Sequence, residues 1–206
     1  MKEIGGNKAA NLYGLVLAGG KSTRMGSDKG LIKYHSIPQQ EHLYKLLERT
    51  CDKVFLSMRE EQQSGMDNDF NTIVDQNEYR GPFNGILSAH KTYPNAAWFV
   101  LACDVPLIDL KALKNLADNR NPKKLATSYA TKKNNLPEPL ITIWEPEGLK
   151  RAISYLETSE STCPRKFLIN SDVELINPKH DELLYNANSV SDYEFIKSKL
   201  EMTNEF

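Results

Sequence analysis

Residues 17–30 read Leu-Ala-Gly-Gly-Lys-Ser-Thr-Arg-Met-Gly-Ser-Asp-Lys-Gly, and these types at this spacing could cradle a polyphosphate. Gly19 and Gly20 can take positive φ and let backbone N–H groups approach phosphate oxygens, so the main chain itself becomes an anion-binding concavity. Arg24 offers a planar fork of donors and Lys29 a compact point charge, two complementary ways to neutralise a triphosphate. Two better-known glycine motifs are excluded. Gly20-Lys21-Ser22 imitates the end of a P-loop, but Leu15 stands where that motif requires its first glycine. The dinucleotide fingerprint fails as well, because the next glycine after Gly20 is Gly26 and no Gly-x-Gly start exists.

A second group is the run Phe99 to Pro106, an apolar stretch that ends in Asp104. An aspartate after a strand often serves as a helix cap or turn former. At the carboxyl end of a central strand, however, it faces the crevice where open α/β sheets bind ligands. Magnesium takes few carboxylates alongside waters and substrate phosphates, so one such aspartate suffices to anchor it. A third group is Asn186-Ala187-Asn188-Ser189, with Asp192 beyond it. Asn188 or Ser189 could cap the last helix, and asparagine amide oxygens are also hard enough to approach a magnesium site. Gly81-Pro82, with Gly85 after it, reads either as a helix start or as a close turn. His35, His42, His90 and His180 show no ligand spacing and read as surface or helix-packing residues.

The elements that must position these groups alternate in the βαβ rhythm of a mostly parallel sheet. Strands are expected at 12–18, 53–58, 72–74, 97–102, 124–130 and 140–144. Helices are expected at 39–49, 83–93, 107–119, 147–158 and 192–200. The segment 12–18 is short and apolar, as suits a strand buried on both faces, so the glycine loop opens at the sheet's carboxyl edge. The polar stretch 131–135 reads as a mobile loop.

The chain of 206 residues suits one α/β domain with a sizeable core. A net charge of −1 argues against a broad nucleic-acid surface, which is usually strongly basic. Cys51, Cys103 and Cys163 lie far apart and form no Cys-x-x-Cys pair, so neither a disulfide framework nor a zinc site is expected. No apolar run approaches the ~18 residues of a membrane span, and residues 1–11 are too polar for a signal peptide. A cytoplasmic protein with no membrane partner is expected.

Leu17 to Lys29 resembles the L-A-G-G-x-S-x-R-M-G-x-D-K signature of the molybdenum cofactor guanylyltransferases, and the resemblance extends from Leu12 to about Leu200. It implies an α/β fold of the Rossmann-like, three-layer sandwich type around a mostly parallel sheet. Residues 1–11 would be a polar extension and 12–206 a single nucleotidyltransferase domain, with a nucleotide half to about residue 120 and an acceptor half beyond it. By this resemblance Leu17, Ala18, Gly19, Gly20, Ser22, Arg24, Lys29, Asp75, Gly81, Pro82, Gly85 and Asp104 bind the nucleotide. Arg24, Lys29 and Asp104 are the catalytic set. Cys103-Asp104-Val105-Pro106 is similar to the family's C-D-x-P motif, whose aspartate holds Mg²⁺, with Asn188 beside it.

Asp75 and Gly81-Pro82-Phe83-Asn84-Gly85 match a segment D-x-x-x-x-x-G-P-L-A-G in which Phe83 and Asn84 replace Leu and Ala. The last asparagine segment departs from N-x-N-T-P-E-E-L, with Ser189 for Thr and Val190 for Pro. The resemblance assigns Pro139, Arg165, Lys166, Asn186 and Asn188 to the acceptor, although a basic pair such as Arg165-Lys166 is also what a solvated helix face presents.

The reaction so implied is transfer of GMP from GTP to the terminal phosphate of molybdopterin or molybdenum-molybdopterin, with a molybdenum-insertion protein as a further partner. Two other readings stay open at the level of sequence. One is a sister transferase using CTP on the pterin or another NTP on a sugar phosphate; Gly19-Gly20 favours guanine, since cytidylyl relatives usually carry L-A-A-G. The other is a nucleotide-binding protein on a decayed transferase fold, against which Arg24, Lys29, Asp104 and Asn188 all stand.

Overall fold

The computed structural model describes residues 9–20, 29–65 and 69–204. Its centre is a seven-stranded sheet of β1 (Leu12–Leu17), β2 (Lys53–Met58), β3 (Thr72–Val74), β4 (Ala97–Ala102), β5 (Ala126–Ala130), β6 (Pro137–Trp144) and β7 (Val173–Ile176). The spatial order is β3-β2-β1-β4-β6-β5-β7. β1 pairs in parallel with β2 and β4, β2 with β3, and β5 with β7, whereas β6 runs antiparallel to both β4 and β5.

Helices cover both faces. α1 (Gln39–Leu47) and α3 (Leu110–Asp118) lie on one side, while α2 (Pro82–Thr92), α4 (Pro146–Thr158) and α5 (Pro164–Ile169) lie on the other. Strand periodicity divides the core accordingly. Along β4, Ala97, Phe99 and Leu101 join Leu43, Leu47 and Leu113 of α1 and α3, while Trp98 and Val100 join Phe83, Leu87 and Leu149 of α2 and α4. All six residues of β4 are buried, which explains why the strand reads as an uninterrupted apolar run. The last helix, α6 (Val190–Asn204), sets Ile196 against Tyr34 and Ala187 in a separate small cluster. Among the described residues no helix is long and apolar enough to cross a membrane.

β2, β3 and β4 have the expected bounds, the other expected elements are present with shifted ends, and two features differ from expectation. α3 starts at Leu110 rather than 107 because Asp109 is its cap, its carboxylate accepting from the Ala112 N–H at 2.7 Å. β6 begins at Pro137 rather than 140, with Pro137 and Pro139 accommodated beside an irregularity in the β5–β6 pairing between Ser128 and Ala130. β7 was not expected at all. It is a four-residue edge strand, half-buried throughout, and therefore lacks an apolar signature. The 131–135 segment is a hydrogen-bonded turn: the Thr131 hydroxyl donates to Asn134 Oδ1 at 2.6 Å, and the Lys132 N–H donates to Asp181 at 3.1 Å.

Candidate active site

β1, β2, β3 and β4 all end at one edge of the sheet, and the groups that follow them line a continuous cleft. Its middle is a cavity of about 230 Å³ bounded by Leu17, Ala18, Gly20, Lys29, Pro82, Asp104 and Leu140. On the β3 side it opens into about 420 Å³ of space bordered by Gly19, Asp75, Gly81 and Gly85. On the β6 side it opens into about 730 Å³ walled by Pro139, Arg165, Lys166 and Asn186. Ser22 and Arg24 lie outside the described residues.

In the middle, the Lys29 ammonium donates to Asn188 Oδ1 at 2.7 Å and to the Ala187 carbonyl at 3.0 Å, and stands 3.9 Å from Asp104 Oδ2. The Ala187 N–H in turn donates to the Asp104 carbonyl at 2.7 Å, which ties the asparagine segment to the end of β4. Burial pushes the Asp104 carboxyl above its usual pKa, against the opposing pull of Lys29. Asp104 Oδ1 is buried with no hydrogen-bond partner among the described residues. Leaving such an acceptor unmade costs ~1–3 kcal/mol or more, so the atom is placed for a ligand rather than for the fold.

Capping of α6 falls to Ser189. Its Oγ accepts from the Asp192 N–H at 3.2 Å, while Asp192 Oδ2 accepts from the Ser189 N–H at 2.8 Å, a reciprocal box. Hydrogen bonds from Tyr185 and this turn hold the Asp192 carboxyl down to about 2. Asn188 is thereby released to face Lys29, and Asn186 turns to the 730 Å³ cavity.

The glycines serve differently from the sequence reading. Neither Gly19 nor Gly20 takes positive φ; among the described glycines that conformation belongs to Gly81, at φ 64° and ψ −151°, immediately before α2. Gly19 and Gly85 instead permit close approach. A Cβ on Gly19 would meet Asp75 Oδ2 at 2.7 Å, and one on Gly85 would overlap Ser57 Oγ. Asp75 accepts from the Ser57 hydroxyl at 2.6 Å, and burial raises its pKa.

Sequence reasoning missed the end of β2. Ser57 and Arg59 border the cleft together with Asn77, Tyr79 and Asn84. The signal available was the one that found Asp104, namely polar residues at the carboxyl end of a parallel strand. It also missed Glu138, a buried carboxylate in β6 that takes the Arg165 guanidinium at 2.6 Å while Arg165 Nε donates to the Pro137 carbonyl at 3.0 Å. Arg165 is thus braced against the wall of the 730 Å³ cavity. The histidines hold no ligand geometry, but His35 and His42 stack with centroids 3.7 Å apart, and His35 Nε2 lies 2.9 Å from the Pro106 carbonyl.

A mostly parallel sheet with a glycine loop, a lysine and a half-buried aspartate at its carboxyl edge defines an α/β nucleotidyltransferase. Residues 14–174 match the model of the MobA-like NTP transferase domain, and the chain belongs to that family. It is 38% identical over 183 residues to the molybdenum cofactor biosynthesis bifunctional protein of Synechocystis sp., covering 88% of this chain but about half, 52%, of that longer protein. It is 31% identical over 180 residues to the molybdenum cofactor guanylyltransferase of Pseudomonas fluorescens, covering 85% of this chain and 88% of that one. The fold is similar to the crystal structure of molybdopterin-guanine dinucleotide biosynthesis protein A from Archaeoglobus fulgidus, with a TM-score of 0.73 at 18% identity over 92% of this chain and 99% of the other.

Proposed function

We propose that the chain transfers GMP from GTP to the terminal phosphate of molybdopterin or its molybdenum-loaded form in the cytoplasm, releasing pyrophosphate and forming the guanine dinucleotide. The observation that carries this reading is Asp104 Oδ1, buried and unpartnered among the described residues, between two cavities that the reading gives to the nucleotide and to the anionic acceptor. A single carboxylate of this kind fits magnesium, which keeps waters and takes phosphate oxygens for the rest of its shell. Asp104 would hold the ion with Asn188 beside it, and the ion would supply charge neutralisation between the phosphates.

The chain's own groups do the remaining work. The Gly19-Gly20 backbone, Lys29 and Arg24 hold the triphosphate, and Lys29, fixed by Ala187 and Asn188, is already oriented before substrate arrives. Arg165 and Lys166 attract the acceptor phosphate, which is a nucleophile at neutral pH because its second pKa is about 6. No general base is needed. Alignment of the two phosphates across the middle cavity can supply up to ~7–11 kcal/mol of the barrier, so most residues here position rather than react. A partner that inserts molybdenum would deliver or receive so labile a pterin.

The test is calorimetry of GTP, CTP and ATP binding in Mg²⁺, with Asp104→Asn alongside the native chain, followed by product analysis with the pterin acceptor. Selective GTP binding and dinucleotide formation are expected. Asp104→Asn should cut turnover at least ~100-fold and raise Tm of the unliganded protein. A carboxyl whose folded pKa is raised costs stability once pH exceeds its unfolded value, and the amide removes that cost. Preference for CTP, or full activity in Asp104→Asn, would overturn the reading.

A further inference from the structure

We infer that Arg59 reads the base, its guanidinium donating to the O6 and N7 acceptors of guanine; this rests on the guanylyl-transfer reading above. Arg59 follows β2 directly, so it stands two strands from β4, which leads to Asp104, and one strand from β3, which leads to Asp75. Strands in a sheet lie ~4.8 Å apart, which puts the end of β2 roughly 10 Å from the end of β4. That is comparable with the span from the α-phosphorus to the base within one nucleotide. An arginine on β2 is therefore at base distance from the metal anchor, whereas Lys29 and the glycine loop are at phosphate distance.

The local geometry holds the residue in place for this task. The Arg59 N–H donates to Gln62 Oε1 at 2.9 Å, and Gln62 Nε2 donates to the Ala18 carbonyl at 3.2 Å, so the Arg59 backbone is tied to the loop after β1. The side chain borders the 420 Å³ cleft with Asp75, Asn77, Tyr79 and Asn84, and a Cβ on Gly19 would lie 3.6 Å from Arg59 Cγ. Its Nε is buried without a hydrogen-bond partner among the described residues, and the guanidinium forms no ion pair with Asp75 within 4.0 Å, although its charge opposes the rise in that carboxyl's pKa. A buried donor left unmade in the unliganded protein is met when an acceptor enters the cleft.

Guanine presents two adjacent acceptors, O6 and N7, to which arginine donates as a fork, and its N1–H and N2–H₂ donors form the neighbouring edge. With Arg59 on the acceptor edge, the carboxylate of Asp75 is the group available to the donor edge. Adenine sets an N6–H₂ donor where guanine has O6, so the same guanidinium rejects it. Selectivity would thus arise from two residues at the ends of β2 and β3, outside the glycine loop.

The experiment is calorimetry in Mg²⁺ on the full chain with GTP, 7-deaza-GTP, ITP and CTP, comparing the native protein with Arg59→Gln. The native protein should bind 7-deaza-GTP about tenfold more weakly than GTP. Arg59→Gln should bind GTP and 7-deaza-GTP alike, while keeping the native penalty for ITP, which lacks only the 2-amino group. Equal weakening for GTP, 7-deaza-GTP and CTP would make Arg59 a phosphate ligand and overturn the inference. So would native affinity for GTP in the variant, or no 7-deaza penalty in the native protein. Failure of the native protein to prefer GTP over CTP would instead strike the guanylyl-transfer reading itself. A thermal melt checks folding, and Arg59→Lys, which keeps the charge but not the fork, should reproduce the loss of 7-deaza discrimination if Arg59→Gln does not fold.

Discussion

Lys29 reaches Ala187 and Asn188, just before the last helix, at 3.0 and 2.7 Å and stands 3.9 Å from Asp104, and the groups it brings together were hidden from the sequence to different degrees. The loop was legible because glycine, lysine and arginine at those spacings have one shared physical use, phosphate binding. Asp104 was legible because an apolar strand led to it. That Lys29 rests on Asn188, 159 residues away, was not, since no local pattern encodes a long-range hydrogen bond. The same holds for the histidines: His42 is four residues into α1 and His35 lies in the preceding turn, yet they stack face to face. Burial, together with the facing His35 imidazole, lowers the His42 pKa from 6.5 to about 4. A histidine held neutral in the folded state disfavours folding wherever the unfolded state alone is protonated. Stability should therefore fall as pH drops from about 6.5 to about 4 and level off below. Replacing His42 with Gln should flatten that limb, as read from urea unfolding at stepped pH. An unchanged slope would mean that other groups set the acid sensitivity.

The turns between elements matter more here than the elements' own propensities. Helix and strand positions followed from apolar periodicity, and the errors fell at ends where a single side chain decides, such as Asp109 before α3 and Ser189 before α6. β7 escaped because a short, half-buried edge strand carries neither alternation nor an apolar run. At the start of α2, the glycines separate structural from ligand roles. A Cβ at Gly85 would overlap Ser57 and lie 2.9 Å from Leu17, whereas one at Gly20, in the loop after β1, would meet nothing within 4 Å among the described residues. Gly85→Ala should cost about 1–3 kcal/mol in chemical denaturation, through overpacking against β1 and β2. Gly20→Ala should leave the denaturation midpoint unchanged and weaken GTP binding, because the added methyl occupies space meant for phosphate. A destabilised Gly20→Ala would place that glycine in the fold instead.

Across the molecule, binding and stability are concentrated at opposite edges of one sheet. Far from the cleft, the Arg120 guanidinium grips Glu145 through Nε at 2.6 Å and Nη2 at 2.9 Å and also donates to the Ala10 carbonyl at 2.9 Å, joining the end of α3, the end of β6 and the chain before β1. Both side chains are largely buried, so Arg120→Ala strands a buried carboxylate and should cost ~3–5 kcal/mol. GTP affinity measured below the melting transition should stay native, and a parallel loss of affinity would show that the two edges are coupled. β6 has a different consequence. Because it runs against its neighbours, with Leu101 of β4 opposite Ile141, the beginning of this strand reaches the edge that the other strands reach with their ends. Pro139 and Leu140 therefore border the cleft from within a β-strand, whereas β1, β2 and β3 contribute the segments that follow their ends. Loops accept insertions and ladders do not. The segments after β1, β2 and β3 can therefore vary in length, while the part of the cleft built by β6 can be remodelled only by exchanging one side chain for another.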